Sequence, residues 1–290
     1  MIIVTDNMAD IPKELAKNLG IIKVPLGLSF NGISYKNTAD VDPTDFYKLL
    51  RENPDQYPIT SQPSVGQFVE TFEAIVREGQ EVFAVLISSG LSGTFNSAIA
   101  AAEIVKQQYQ NAVINLFDTK TLSVAEGWQV LAAYRMAEAG KGFDEIQQNL
   151  ERLQKNIKFF FTLDSLKYLI HGGRISHMQG MIASLLKIRP VITVDLQGKY
   201  IDVGKFPTFQ RALSGMIPAI HKYFDCSRLL CFQVVHGENF SGVMKMTSIL
   251  SDNFHCQIAP VVQGDITAGA HVGETIVGFA AGYADEIVPI

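Results

Sequence analysis

The chain has 290 residues, which suits two domains at roughly 150 residues each. Its 24 Lys and Arg against 29 Asp and Glu leave a net charge of −5, so it lacks the basic field that nucleic-acid binding needs. A hydrophobic fraction of 47% excludes disorder, and charges break every apolar run short of the roughly 18 residues of a bilayer span, so no stable membrane insertion is expected.

The start, Met1-Ile2-Ile3-Val4-Thr5-Asp6, lacks a cationic region and a small-residue cleavage site. It reads as a first strand rather than a signal peptide, with the cytoplasm as the expected address. Ile21 to Phe30 is a second β-rich stretch, interrupted by Pro25 and Gly27, with part of it at an edge. Val65, Phe68, Val69, Phe72, Ile75 and Val76 recur at helical spacing over 65–78, and Ser64 with Gln67 forms a capping box at the start. Val82 to Ile87 is a continuous apolar run, the mark of a strand covered on both faces. A helix from Ser97 to Tyr109, a strand from Ala112 to Phe117, helices over 122–139 and 144–155, and a β run from Phe159 to Leu163 follow. This rhythm predicts a wound, mainly parallel sheet.

The second half differs. Val191 to Val194 and Tyr200 to Val203 flank Gln197-Gly198 and predict an antiparallel hairpin. Helices are expected over 211–224 and 240–254, and strands over 229–235 and 258–262. The fold class is therefore α/β with two domains: residues 1–163 around the parallel sheet, and 164–290 around a mixed sheet. Cys226, Cys231 and Cys256 form no CxxC pair and read as reduced, packed thiols; the six histidines show no metal-ligand spacing.

Three polar clusters carry possible chemistry. Thr60-Ser61-Gln62-Pro63-Ser64 is a hydroxyl-rich turn before a helix, and its residues serve equally as caps. Ser88-Ser89-Gly90-Leu91-Ser92-Gly93-Thr94 follows the buried strand and opens a helix, where unpaired N–H groups and the positive dipole end favour an anion. It holds more hydroxyls than capping requires. Gly269-Ala270-His271-Val272-Gly273 sets one histidine on a tight backbone, and Gly172-Gly173-Arg174-Ile175-Ser176 presents one arginine, as an anion contact or as an exposed residue after a glycine cap. The G-x-S-x-G elbow, P-loop, dinucleotide and zinc-protease motifs are all absent.

Together these residues resemble the DegV family. Thr60 to Ser64, Ser88-Ser89 with Leu91 to Thr94, Tyr168-Leu169 with Gly172 to Ile175, and His271-Val272-Gly273 carry the likeness, with Asp6 and Arg189-Pro190-Val191 beside them. The resemblance implies a bacterial fatty-acid-binding subunit of a fatty-acid kinase system, with one long-chain fatty acid held between two α/β domains. It implies that the chain is not itself an enzyme and needs no metal or other cofactor: a partner Dak-like kinase subunit makes the acyl phosphate that feeds phospholipid precursor metabolism. The implied carboxylate site is Thr60, Ser61, Ser92, Gly93, Thr94 and His271, with Arg174 facing the partner.

A carboxylate suits a hydroxyl-lined helix terminus, and an acyl chain gains about 0.8 kcal/mol per buried CH₂. The rival readings are a serine-type acyl hydrolase using Ser92 with His271, and a domain binding a nucleotide or sugar phosphate. Two segments depart from the family pattern. In the segment from Lys205 to Arg211, Pro207, preceded by Phe206, stands where a basic residue is usual, and Glu274 stands where proline is common. The loss of positive charge bears on kinase engagement rather than on lipid binding.

Overall fold

The computed structural model describes residues 1–35, 38, 41–175 and 188–287. The first half runs β1 (Ile2–Asp6), α1 (Lys13–Leu19), β2 (Ile22–Val24), β3 (Gly27–Phe30), β4 (Ile33–Tyr35), α2 (Pro43–Glu52), β5 (Ile59–Ser61), α3 (Val65–Arg77), β6 (Val82–Leu86), α4 (Thr94–Gln108), β7 (Ile114–Asp118), α5 (Ser123–Glu138) and α6 (Phe143–Asn156). The second half runs β8 (Lys158–Thr162), α7 (Lys167–His171), β9 (Arg189–Val194), β10 (Tyr200–Phe206), α8 (Phe209–Tyr223), β11 (Leu230–His236), α9 (Phe240–Asn253), β12 (Cys256–Gln263), α10 (Ile266–Val272) and β13 (Val277–Tyr283).

A parallel sheet in the order β2-β1-β6-β7 forms the first layer, as the alternating pattern predicts. Every residue of β6 is buried because both faces are covered. Val82, Ala84 and Leu86 pack under α3 and α4, while Phe83 and Val85 face α5 and α6. The Ser64–Gln67 capping box is present in full. The stretch from Ile21 to Phe30 divides at Pro25, with β2 at the edge of the parallel sheet and β3 at the centre of a small antiparallel sheet, β4-β3-β5.

The second sheet is mixed and six-stranded, in the order β10-β9-β8-β13-β11-β12. β9 and β10 form the expected hairpin, and β11 with β12 is its parallel pair. β8, which a division near residue 163 assigns to the first half, pairs instead with β13 and β9 of this sheet. A division drawn by sheets thus falls in the α6–β8 junction. β13 has no counterpart among the elements expected from sequence, yet it lies inside the sheet between β8 and β11.

One helix joins the two layers. α5 is buried over every residue from Ser123 to Ala133, since it has a sheet on either side. A helix covered all round keeps no polar stripe. Trp128 reaches across to the second sheet and donates to Gln233 Oε1 at 2.6 Å.

Candidate functional site

The site is built where the small sheet, the turn after β6 and α10 meet. Side chains alternate across a strand, and β5 pairs with β3 so that Thr60 stands opposite Leu28, which is buried, while Ile59 and Ser61 turn the other way. Thr60 therefore faces inward. Its Oγ1 lies 2.8 Å from Nε2 of His271 at the end of α10. Ser61 is exposed and lies against Gly27, outside the cavity described below.

β6 delivers its turn to the same place. Ser92 Oγ sits 2.8 Å from Thr94 Oγ1, just where α4 begins. Thr94 is fully buried and does not line the cavity; neither does Gly93, over which the Gln62 side chain passes. Much of the remaining turn docks the second domain. Ser88 Oγ donates to the Gly198 carbonyl in the β9–β10 turn at 2.8 Å, and a side chain on Gly90 would strike that carbonyl. Part of the hydroxyl excess seen in the sequence is explained by this contact.

α7 ends at Gly172, and Gly173 takes a left-handed φ of 74°, as a glycine cap should. Arg174 then folds back, donating to the Gly172 carbonyl at 2.6 Å, and lines the cavity rather than projecting as a free surface arginine. Ser176 lies outside the described residues. Tyr57 stacks on His171 beside this turn, with ring centres 3.4 Å apart.

Thr60, Ser92, Arg174 and His271 thus line one cavity, together with Gln62. Its walls are mostly apolar: Leu26, Ile87, Leu91 and Leu122 from the first half, and Phe159, Phe161, Tyr200, Val272 and Ile276 from the second. Its volume is about 800 Å³, counting the space open to solvent at its mouth. The space is narrow. Asp10, Ser123 and Asp265 add a polar stretch to the wall, where Ser123 Oγ donates to Asp10 at 2.5 Å and the Asp265 amide donates to Asp10 at 2.7 Å.

Burial sets the electrostatics. It pushes the His271 imidazole down to about 4, with the Arg174 charge acting in the same direction, so the ring is neutral. His271 Nδ1 is buried and has no hydrogen-bond partner among the described residues. Burial also pushes Asp10 up to about 7 and Asp6 up to about 6. Glu126, on the enclosed helix, is driven well above the usual carboxylate range, and neither of its oxygens is hydrogen-bonded among the described residues. Those residues contain no group of three or more His, Cys, Asp or Glu placed to hold a metal.

Ser92 pairs with Thr94 and His271 with Thr60, so the geometry does not assemble the Ser92–His271 pair that a hydrolase requires. Gln62, Asp10, Ser123 and the paired aromatics Phe159 and Phe161 are cavity residues not singled out as site residues from the sequence. The spacing of Phe159 and Phe161 at i and i+2 on a strand was the available signal, since it puts both rings on one face.

Fold and cavity together define a two-domain α/β protein with a narrow, hydroxyl-edged apolar pocket between its sheets. The family model described as an uncharacterised protein of the DegV family matches residues 1–283, and the chain belongs to that family. It is 30% identical over 277 residues to a DegV domain-containing protein of Staphylococcus aureus, with 96% of each chain covered. It is similar in structure to a DegV family protein from Thermus thermophilus described as fatty-acid binding (TM-score 0.87, 26% identity, 97% of this chain and 99% of that one). A stearic-acid-binding protein from Eubacterium ventriosum matches with TM-score 0.87 and 27% identity over 98% of both chains. DegV of Bacillus subtilis, described as a fatty acid binding protein, matches with TM-score 0.84 and 28% identity over 97% of this chain and 98% of that one. Among the described residues no helix is long and apolar enough to cross a membrane.

Proposed function

We propose that this protein binds one long-chain fatty acid in the cavity between its sheets and presents the carboxylate to a partner kinase for acyl-phosphate formation. The observation that carries the reading is the convergence of Thr60, Ser92, His271 and Arg174 on one narrow apolar cavity. The relatives of known structure described as fatty-acid binding support it. An acyl chain suits the cavity because each buried CH₂ contributes about 0.8 kcal/mol.

The head-group chemistry follows from the tautomer. A neutral His271 protonated on Nε2 donates to Thr60 Oγ1 and leaves Nδ1 as a bare acceptor, the less costly atom to bury without a partner. Thr60, having accepted that bond, keeps its own proton for the carboxylate. Ser92 supplies a second hydroxyl at the start of α4, where the helix dipole favours negative charge. Arg174 stands by to steady the greater charge of an acyl phosphate.

The test is to denature the purified protein, extract it with organic solvent and identify the extract by mass spectrometry. Free fatty acid approaching one molecule per chain is the expected result. A phosphate-bearing ligand, or turnover of acyl esters that is lost in Ser92→Ala, would overturn the carrier reading.

A further inference from the structure

We propose that Gln62 is a positioning residue of the head-group site, setting the distance between the Thr60 hydroxyl and the Ser92 hydroxyl; the proposal rests on the fatty-acid reading above. Thr60 and Ser92 reach the cavity on separate supports, one on β5 of the small sheet and the other on the turn between β6 and α4. Gln62 leaves the chain two residues after Thr60 and crosses to the second support. Its Nε2 donates to Ser97 Oγ at 2.8 Å, in the first turn of α4.

Two further features fit a strut. The carboxamide passes over Gly93 so closely that any side chain there would overlap it, so this position must be bare for the crossing to occur. Ser97 is buried and does not line the cavity, whereas Gln62 does. The Ser97 hydroxyl therefore reaches a ligand only through Gln62. An amide also carries a second N–H besides the one it donates to Ser97. Head-group recognition depends on hydroxyls held to within about 0.5 Å, and a hydrogen-bonded brace between two loops supplies that fixity.

The experiment compares hexadecanoic acid with its methyl ester, which shares the chain and lacks the carboxylate. Dissociation constants are measured for the wild-type protein, Gln62→Ala, Ser97→Ala and the double variant, with melting temperatures taken alongside. The wild type is expected to prefer the acid. Each single variant should lose about three- to tenfold in acid affinity, the range of one neutral hydrogen bond, with ester affinity and melting temperature unchanged. The double variant should lose no more than either single one. Unchanged acid affinity, losses that add, or acid and ester weakening together would overturn the role of Gln62 while leaving the fatty-acid reading intact. A wild-type protein that does not prefer the acid would instead overturn the carboxylate site itself, and the strut with it.

Discussion

Thr60 and His271 stand 211 positions apart in the chain and meet at 2.8 Å, joining the small sheet of the first half to the last helix of the second. In the proposed reading Nε2 of the imidazole donates to Thr60 Oγ1, which leaves the hydroxyl proton of Thr60 available for a carboxylate. Thr60→Val and Ser92→Ala should each weaken fatty-acid binding about tenfold or more, because a hydrogen bond to a charged acceptor contributes roughly 1.5–3 kcal/mol. Calorimetric titration reads the effect. Unchanged affinity in both variants would remove these hydroxyls from the head-group site.

Arg174 makes a second test possible. Its charge is one of two causes holding the His271 imidazole down, burial being the larger. In Arg174→Ala the His271 titration, followed by NMR, should move upward yet stay below that of a free histidine. The same variant should still bind fatty acid but fail to support acyl-phosphate formation with the kinase of the same cell. Wild-type phosphorylation rates in the variant would make the arginine scaffolding.

Asp10 ties stability to pH. An ordinary aspartate titrates near 3.8 and Asp10 at about 7, so the folded protein holds this proton more tightly than the unfolded chain does. The resulting stabilisation is complete below about pH 4 and is lost as the pH rises through 7; Asp6, at about 6, acts in the same direction. In Asp10→Asn the loss between pH 4 and 8 should shrink by on the order of 2–4 kcal/mol. Urea unfolding across that range measures it. Parallel curves for variant and wild type would refute the assignment.

Gly198 is fixed by two constraints at once. Its φ of 77° is left-handed, and an added methyl would overlap the Ser88 hydroxyl. Gly198→Ala should destabilise by about 1–3 kcal/mol and lower Tm by several degrees. Adding Ser88→Ala should recover the overlap but not the backbone strain, so the pair should melt between the two extremes. A fully restored Tm would show that only the clash matters.

The regular elements with a strong local signal were legible. The Ser64–Gln67 cap, the apolar run of β6 and the Gln197-Gly198 turn each announce themselves within a few residues. β13 did not, and the reason is packing: Val277-Gly278-Phe279-Ala280-Ala281-Gly282-Tyr283 looks like a loop because small residues are needed there. A side chain on Gly278 would meet the Phe160 carbonyl and Phe161 Cβ at 2.8 Å. The strands β3, β4 and β5 are only three or four residues long, too short for a period to show, and so Thr60 read as part of a turn. The polar clusters of the site were visible, but not who pairs with whom. Ser61 and Thr60 are neighbours of the same chemical type, and only the pleat of β5 decides that Thr60 faces in.

The cavity draws its walls from both halves of the chain, so whatever fills it acts as a clasp across the molecule. Filling adds RT ln(1 + [L]/Kd) to the resistance of the folded state, whatever the ligand does next. On the fatty-acid reading, loss of the ligand removes this increment, so the emptied protein should yield to a protease sooner than the filled one.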